Sequence, residues 1–210
     1  MLINNLEKYI KEVSGVLHVG ACEAEERDWY YTRGFEPIYW IEANPEKAFI
    51  IQDNIKIYEN QYFIPAAISD KEENVDFYVA SNDGISSSLL FPNMRPEIYD
   101  NQTHVVDKVI TVQTTTLEKV IDTFSLPMGE INFLQLDIEG AELKALKSLK
   151  KYITHFKYIL CEYHTHENYM GCPQVQDLIS YLKQFGFTEI AREDSGEEWG
   201  DILFERINLF

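Results

Sequence analysis

The stretch that decides the fold is Gly15–Phe35, GVLHVGACEAEERDWYYTRGF. An apolar run leads into a glycine and then a charged segment, the pattern of a buried strand turning tightly into a helix. Such turns often cradle the phosphates of a nucleotide. Here the G-x-G-x-x-G array that a dinucleotide needs reads Gly20, Cys22 and Glu25. Cys22 puts a side chain where a pyrophosphate requires bare backbone, and Glu25 adds negative charge at a helix start that would otherwise attract phosphate. A ligand with a ribose and no phosphate fits better. Gly20 supplies the tight turn and Ala21 keeps the approach open. A plain strand–helix turn without a ligand is the alternative.

Outward from this stretch, Leu2, Leu6, Tyr9, Ile10 and Val13 recur at helical spacing, so a short amphipathic helix is expected over residues 2–13. PIYWIEA reads as a second strand. NPEKAFIIQDNI reads as a helix with Asn44 as N-cap and Pro45 in its first turn. QYFIPAAIS is a third strand, weakened in its middle by Pro65. The alternation then breaks. NVDFYVAS and KVITVQTTTL form a hairpin-type pair around a long polar loop, an insert spanning about residues 74–113. Beyond it come INFLQLDI, GAELKALKSLKKYI, FKYILCEYH and PQVQDLISYLKQFG as strand, helix, strand and helix, then two closing strands, FTEIAR and DILFERI. This is an α/β chain of one domain, residues 1–210, with a mainly parallel sheet and helices on both faces. The last two strands are too close for a crossover helix, so the final one runs antiparallel.

Ligands of such sheets bind at the carboxyl ends of the strands. Glu42 ends the second strand, 22 positions after Gly20, where an acid can accept hydrogen bonds from a ribose diol. Asp137 ends the fourth strand in LQLDIEGAE, followed by Glu139 and Glu142. Glu142 reads as compensation of a helix dipole. Glu162 and His164 end the fifth strand and share one face of it. Asp137, Glu162 and His164 should converge from neighbouring strands. That set suits proton removal, a hard divalent metal, or a buried charge network.

The chain carries a net charge of −17, which disfavours a phosphate-binding surface and leads us to expect no nucleic-acid partner. No apolar run approaches the roughly 18 residues of a membrane span, and the N-terminus lacks a signal-peptide core, so the expected setting is the cytoplasm. Cys22, Cys161 and Cys172 form no CxxC pair and no even set, which argues against a zinc or disulfide framework.

With these residues in view, the chain resembles the FkbM-type methyltransferases, a branch of the class I S-adenosylmethionine-dependent enzymes. The matching pieces are HVGACEAEERDWY, WIEANPE, AAISD, SSSL, TTTLEKV, LQLDIEGAELKALK and ILCEYH; DIEGAE with TTTL upstream is the most specific. The resemblance implies a Rossmann-like seven-stranded sheet of order 3-2-1-4-5-7-6 with strand seven antiparallel. It implies that His18, Gly20 and Ala21 line the methionine and ribose portion and that Glu42, with Ala43 beside it, holds the ribose hydroxyls. Ala67 and Ile68 would flank the adenine, with Asp70 near them, and Ser87 and Ser88 would belong to a loop closing over the site. Asp137 would sit by the sulfonium, and Glu139, Glu162 and His164 towards the methyl acceptor. His18 stands where many members carry Asp, Cys22 where Asn or His is usual, and Ala24 where a glycine is usual.

The implied activity is S-adenosylmethionine-dependent O-methylation of a hydroxyl on a sugar or natural-product-like small molecule. Glu162 or His164 would help remove the proton, alone or through a metal held by Asp137, Glu162 and His164. S-adenosylmethionine is the expected cofactor; a divalent metal is compatible but not required. The rival readings are an NAD-dependent oxidoreductase and a non-catalytic binding module that kept the fold.

Overall fold

Five consecutive buried residues make Gly15–Val19 (β1) a central strand, hydrogen-bonded on both edges. The computed structural model describes residues 2–93, 105–195 and 198–207. After β1 come α1 (Arg27–Thr32), β2 (Ile38–Glu42), α2 (Ala48–Ile55) and β3 (Gln61–Pro65). A short β4 (Ala67–Ile68), β5 (Asn74–Ala80), β6 (Val106–Thr115) and α3 (Leu117–Phe124) follow. The chain closes with β7 (Ile131–Leu136), α4 (Glu142–Ser148), β8 (Tyr158–His164), α5 (Val175–Lys183), β9 (Phe187–Asp194) and β10 (Trp199–Arg206).

The main sheet has seven strands in the order β3-β2-β1-β7-β8-β10-β9. The first five are parallel, and β10 is antiparallel to both neighbours. The expected strand order and the antiparallel last strand are both present. One face is covered by Leu117, Val120, Leu146 and Leu178 from α3, α4 and α5. The other is covered by Leu6, Tyr30, Ile51 and Ile55 from the N-terminal segment, α1 and α2.

Three elements differ from expectation. The N-terminal segment is a 3-10 helix over Leu2–Lys8, and the chain beyond it does not continue as helix: Glu12 adopts φ +58° and Ser14 N–H donates to Asn132 Oδ1. The third strand splits. Ala66 N–H makes the last bond to β2, through the Glu42 carbonyl, and Ala67–Ile68 leave to pair with β6 in a second sheet of order β4-β6-β5. The helix α3 was not read from the sequence, although Thr116 caps it by accepting from Lys119 N–H and its buried Leu117, Val120 and Ile121 lie at helical spacing.

The insert is the antiparallel β5–β6 pair with a loop between the strands; residues 94–104 of that loop lie outside the described residues. Its first part, to Asn93, lies against the segment after β8. Met170 N–H donates to the Phe91 carbonyl, and Asn93 N–H donates to the Asn168 carbonyl.

Gly20 fixes where the two central strands end. Its φ is +89°, and a Cβ there would lie 1.7 Å from the Asp137 carbonyl oxygen. The ends of β1 and β7 can meet only at a residue with no side chain. Gly20→Ala should therefore destabilise the fold by roughly 3 kcal/mol or more, read as a lowered urea midpoint or loss of soluble protein. A midpoint equal to wild type would show that these strand ends can separate without cost.

Candidate active site

A cavity of about 930 Å³ opens at the carboxyl ends of β1, β2, β7 and β8. Strand order dictates what lines it. Neighbouring strands stand about 4.8 Å apart, so Glu42 on β2 and Glu162 on β8 flank a trough roughly 14 Å wide, with Gly20 and Asp137 between them.

At the β2 end, the Glu42 carboxylate accepts from Cys22 N–H at 2.9 Å and from Asn44 N–H at 2.7 Å. These bonds fix both oxygens and leave lone pairs for a ligand. Burial pushes the Glu42 carboxyl up, against the pull of the same N–H groups. Cys22 and Ala24 both take left-handed backbone, with φ +46° and +58°. The alanine standing where a glycine is usual thus holds a conformation that costs a side-chain-bearing residue about 1 kcal/mol, and its buried methyl packs with Tyr30 and Trp40. Burial, then Glu25, pushes the Cys22 thiol up to about 12, so it is neutral and not a nucleophile.

His18 lines the cavity wall but is a packed, neutral ring. Burial lowers its pKa to about 3. Its Nδ1 lies 3.1 Å from the Tyr30 hydroxyl, which donates to Gln135 Oε1 at 2.7 Å, and its ring packs on Trp40 at 4.7 Å.

At the β8 end, Glu139, Glu162 and His164 come together, with one donor atom from each lying within 4.8 Å of the others. Glu139 adopts φ +53°, which turns its side chain back towards the cavity. Its Oε2 accepts from the Tyr169 hydroxyl at 2.8 Å, and its carbonyl accepts from Ser88 Oγ at 2.7 Å. His164 Nε2 is 3.9 Å from Glu162 Oε2, and its Nδ1 faces the Asn168 amide at 3.2 Å. Burial is the first cause that raises these acids. It takes Glu139 to about 7, and it carries Asp137 and Glu162 well above the carboxylate range with help from their acidic neighbours. Glu142 is also raised to about 7 by burial, but it accepts from Ile138 and Gly140 N–H and so closes its own turn.

Of the residues expected from the sequence, His18, Gly20, Ala21, Glu42, Ala43, Ile68, Ser87, Asp137, Glu139, Glu162 and His164 line the cavity. Ala67 and Ser88 do not. Ala67 is buried in its bridge to β6, and Ser88 is buried with its hydroxyl committed to Glu139. Ser87 Oγ donates to the Gly84 carbonyl and so shapes its loop. Asp70 is exposed beside Ser69, away from the wall. Asp137, Glu162 and His164 line the same cavity, and the tightest cluster of donor atoms is formed by Glu162 and His164 with Glu139. Sequence reading missed Ser86, Asn168, Glu198 and Trp199, which line the wall, and Tyr169 behind Glu139. Asn168 and Tyr169 lie in a loop without periodicity, and only their polar tips beside HTHE hint at a role.

The model of the methyltransferase FkbM domain matches residues 18–189. This chain belongs to that family. The FkbM chain is 24% identical over 201 residues to the 2-O-methyltransferase NoeI of Sinorhizobium fredii, covering 92% of this chain and 80% of that one. Its fold matches a structure of M. capricolum TrmK in complex with S-adenosyl-homocysteine, with TM-score 0.54, 12% identity and coverage of 98% and 68%. It also matches Sp1610 of Streptococcus pneumoniae, described as a putative tRNA (m1A22) methyltransferase, in complex with S-adenosyl-L-methionine, with TM-score 0.55, 10% identity and coverage of 97% and 71%. The protein is an S-adenosylmethionine-dependent methyltransferase, and the NAD-dependent reading falls. The exclusion of nucleic acid drawn from net charge gains nothing from the fold, which Sp1610, described as a putative tRNA methyltransferase, shares. Among the described residues no helix is long and apolar enough to cross a membrane.

The buried acids set a pH dependence. Glu26, Glu139 and Glu142 are raised to about 7 in the fold from an ordinary value of 4.5, so the folded state holds their protons more tightly. Their stabilising effect is complete below 4.5 and is lost as pH rises through 7. His18, lowered to about 3 from 6.5, acts in the opposite sense, since its contribution is lost as pH falls below 6.5. Three carboxyls outweigh one imidazole. The ligand-free protein should have a higher denaturant midpoint near pH 5.5 than at pH 8, at fixed ionic strength. An equal or lower midpoint at the acid value would mean that these acids are not buried together.

Proposed function

We propose that the protein transfers the methyl group of S-adenosylmethionine to a hydroxyl of a sugar or natural-product-like small molecule. The observation that carries this reading is the meeting of Glu139, Glu162 and His164 at the far end of the cavity from Glu42. The cofactor would lie along the trough. Its ribose diol would be held by Glu42 with Ala43 beside it, its adenine by Ile68, and its sulfonium by Asp137. Drug-sized ligands occupy cavities of roughly 300–1,000 Å³. The space of about 930 Å³ therefore leaves room for a modest acceptor beside the cofactor. The similarity to a 2-O-methyltransferase supports oxygen as the acceptor atom.

In the reaction the acceptor oxygen attacks the methyl carbon in line with the C–S bond. That bond breaks, its electron pair stays on sulfur, and S-adenosylhomocysteine leaves as a neutral thioether. The hydroxyl proton passes to Glu162 or His164. Asn168 fixes the imidazole and Tyr169 fixes Glu139, so the base needs little reorganisation.

Glu42→Ala should weaken S-adenosylhomocysteine binding by roughly tenfold to a hundredfold in calorimetric titration, the scale of lost hydrogen bonds to a charged group. Unchanged affinity would remove Glu42 from the ribose site. Glu162→Gln should leave that affinity within about threefold while methyl transfer falls by roughly a hundredfold or more. Transfer is best read with labelled cofactor and parallel panels of glycosides and tRNA. Label reaching tRNA and no glycoside would overturn the small-molecule acceptor.

A further inference from the structure

We propose that Glu139, Glu162 and His164 form a binding site for one divalent transition-metal cation, of the Mn²⁺ or Zn²⁺ kind, with its open coordination positions facing the acceptor end of the cavity. The donor atoms of the three residues lie within 4.8 Å of one another. Metal–ligand bonds of about 2.1 Å place donors roughly 3–4.2 Å apart. Small side-chain movements would therefore close the set, and the Glu162–His164 separation of 3.9 Å already falls in that range.

A second observation points to a ligand independently. Glu162 is only 7% exposed, and its Oε2 accepts no hydrogen bond among the described residues. A buried carboxylate oxygen that accepts no hydrogen bond, with Glu139 and His164 as its polar neighbours, is a position that a cation between the three would satisfy. The donor set also has the support that metal sites use. Tyr169 holds Glu139 from behind, and Asn168 faces His164 Nδ1. Turning the Asn168 amide over would let its oxygen accept from Nδ1–H, which leaves the Nε2 lone pair for the metal. The two carboxylates would neutralise the cation, and one imidazole with two carboxylates suits Mn²⁺ or Zn²⁺ better than Ca²⁺. Asp137 stays outside the set, free to face the sulfonium.

The role of such an ion rests on the O-methylation reading: bound to the acceptor hydroxyl, it would lower the pKa of that group. Binding itself does not depend on that reading, so it is tested without cofactor or acceptor. Chelator-treated full-length protein is titrated with Mn²⁺, with free ion read by electron paramagnetic resonance and stability by thermal shift. One ion per chain is expected, with Glu162→Gln and His164→Ala each weakening binding at least tenfold and the exposed Glu59→Gln leaving it unchanged. The proposal is overturned by the absence of saturable Mn²⁺ or Zn²⁺ binding, or by binding that both variants retain. Should a variant fail to fold, anomalous diffraction from Mn²⁺-soaked wild-type crystals decides. A peak between Glu139, Glu162 and His164 upholds the site, and a peak elsewhere or none removes it. Intact S-adenosylhomocysteine binding in protein that takes up no metal would sink the ion alone and leave the methyltransferase assignment standing.

Discussion

The site depends on the close approach of two backbones. The Asp137 carbonyl occupies the volume that a side chain on residue 20 would need. Because β1 and β7 end against each other there, the turn after β1 and the turn that carries the acids share one wall of the cavity. Glu42 is fixed through Cys22 N–H on one side of this contact, and Glu139 leaves the chain two residues beyond it on the other. Any loosening would move the cofactor relative to the acceptor, and misplacement of about 1 Å can cost a hundredfold in rate.

Around that contact the fold concentrates carboxyl groups in a buried space. Glu26, Asp137, Glu139, Glu142 and Glu162 are all raised, each with burial as the leading cause. Such an arrangement is expensive for the empty protein and favourable for a cationic guest. It also explains the departure from a dinucleotide turn. Diphosphate would meet Glu25 on the cavity wall, whereas a sulfonium meets the charge it lacks.

Much of this was legible in the residues. Apolar runs closed by an acid mark β2, β7 and β8, and the rule that ligands gather at strand ends selects Glu42, Asp137 and Glu162 from the sequence alone. The place of Glu139 was not legible as geometry, because its direction depends on a left-handed φ that its residue type does not announce. Position at a strand end pointed to Asp137 as the third member of the trio, and that logic does not reach the turn beyond, where Glu139 lies. Ser88 illustrates a second limit, since a hydroxyl in a loop can serve either a ligand or the backbone, and only the contact with the Glu139 carbonyl shows which. The helix α3 carried a readable cap and spacing, but the strand signal of KVITVQTTTL obscured them.

The hairpin that interrupts the alternation has its own consequence. Ser88, on its first stretch, donates to the Glu139 carbonyl, and Tyr169, in the segment joined to that stretch, donates to the Glu139 carboxylate. The stretch after β5 and the segment after β8 are therefore tied to one residue. A change at either anchor is transmitted to the same carboxyl-bearing residue, one through its backbone and the other through its side chain.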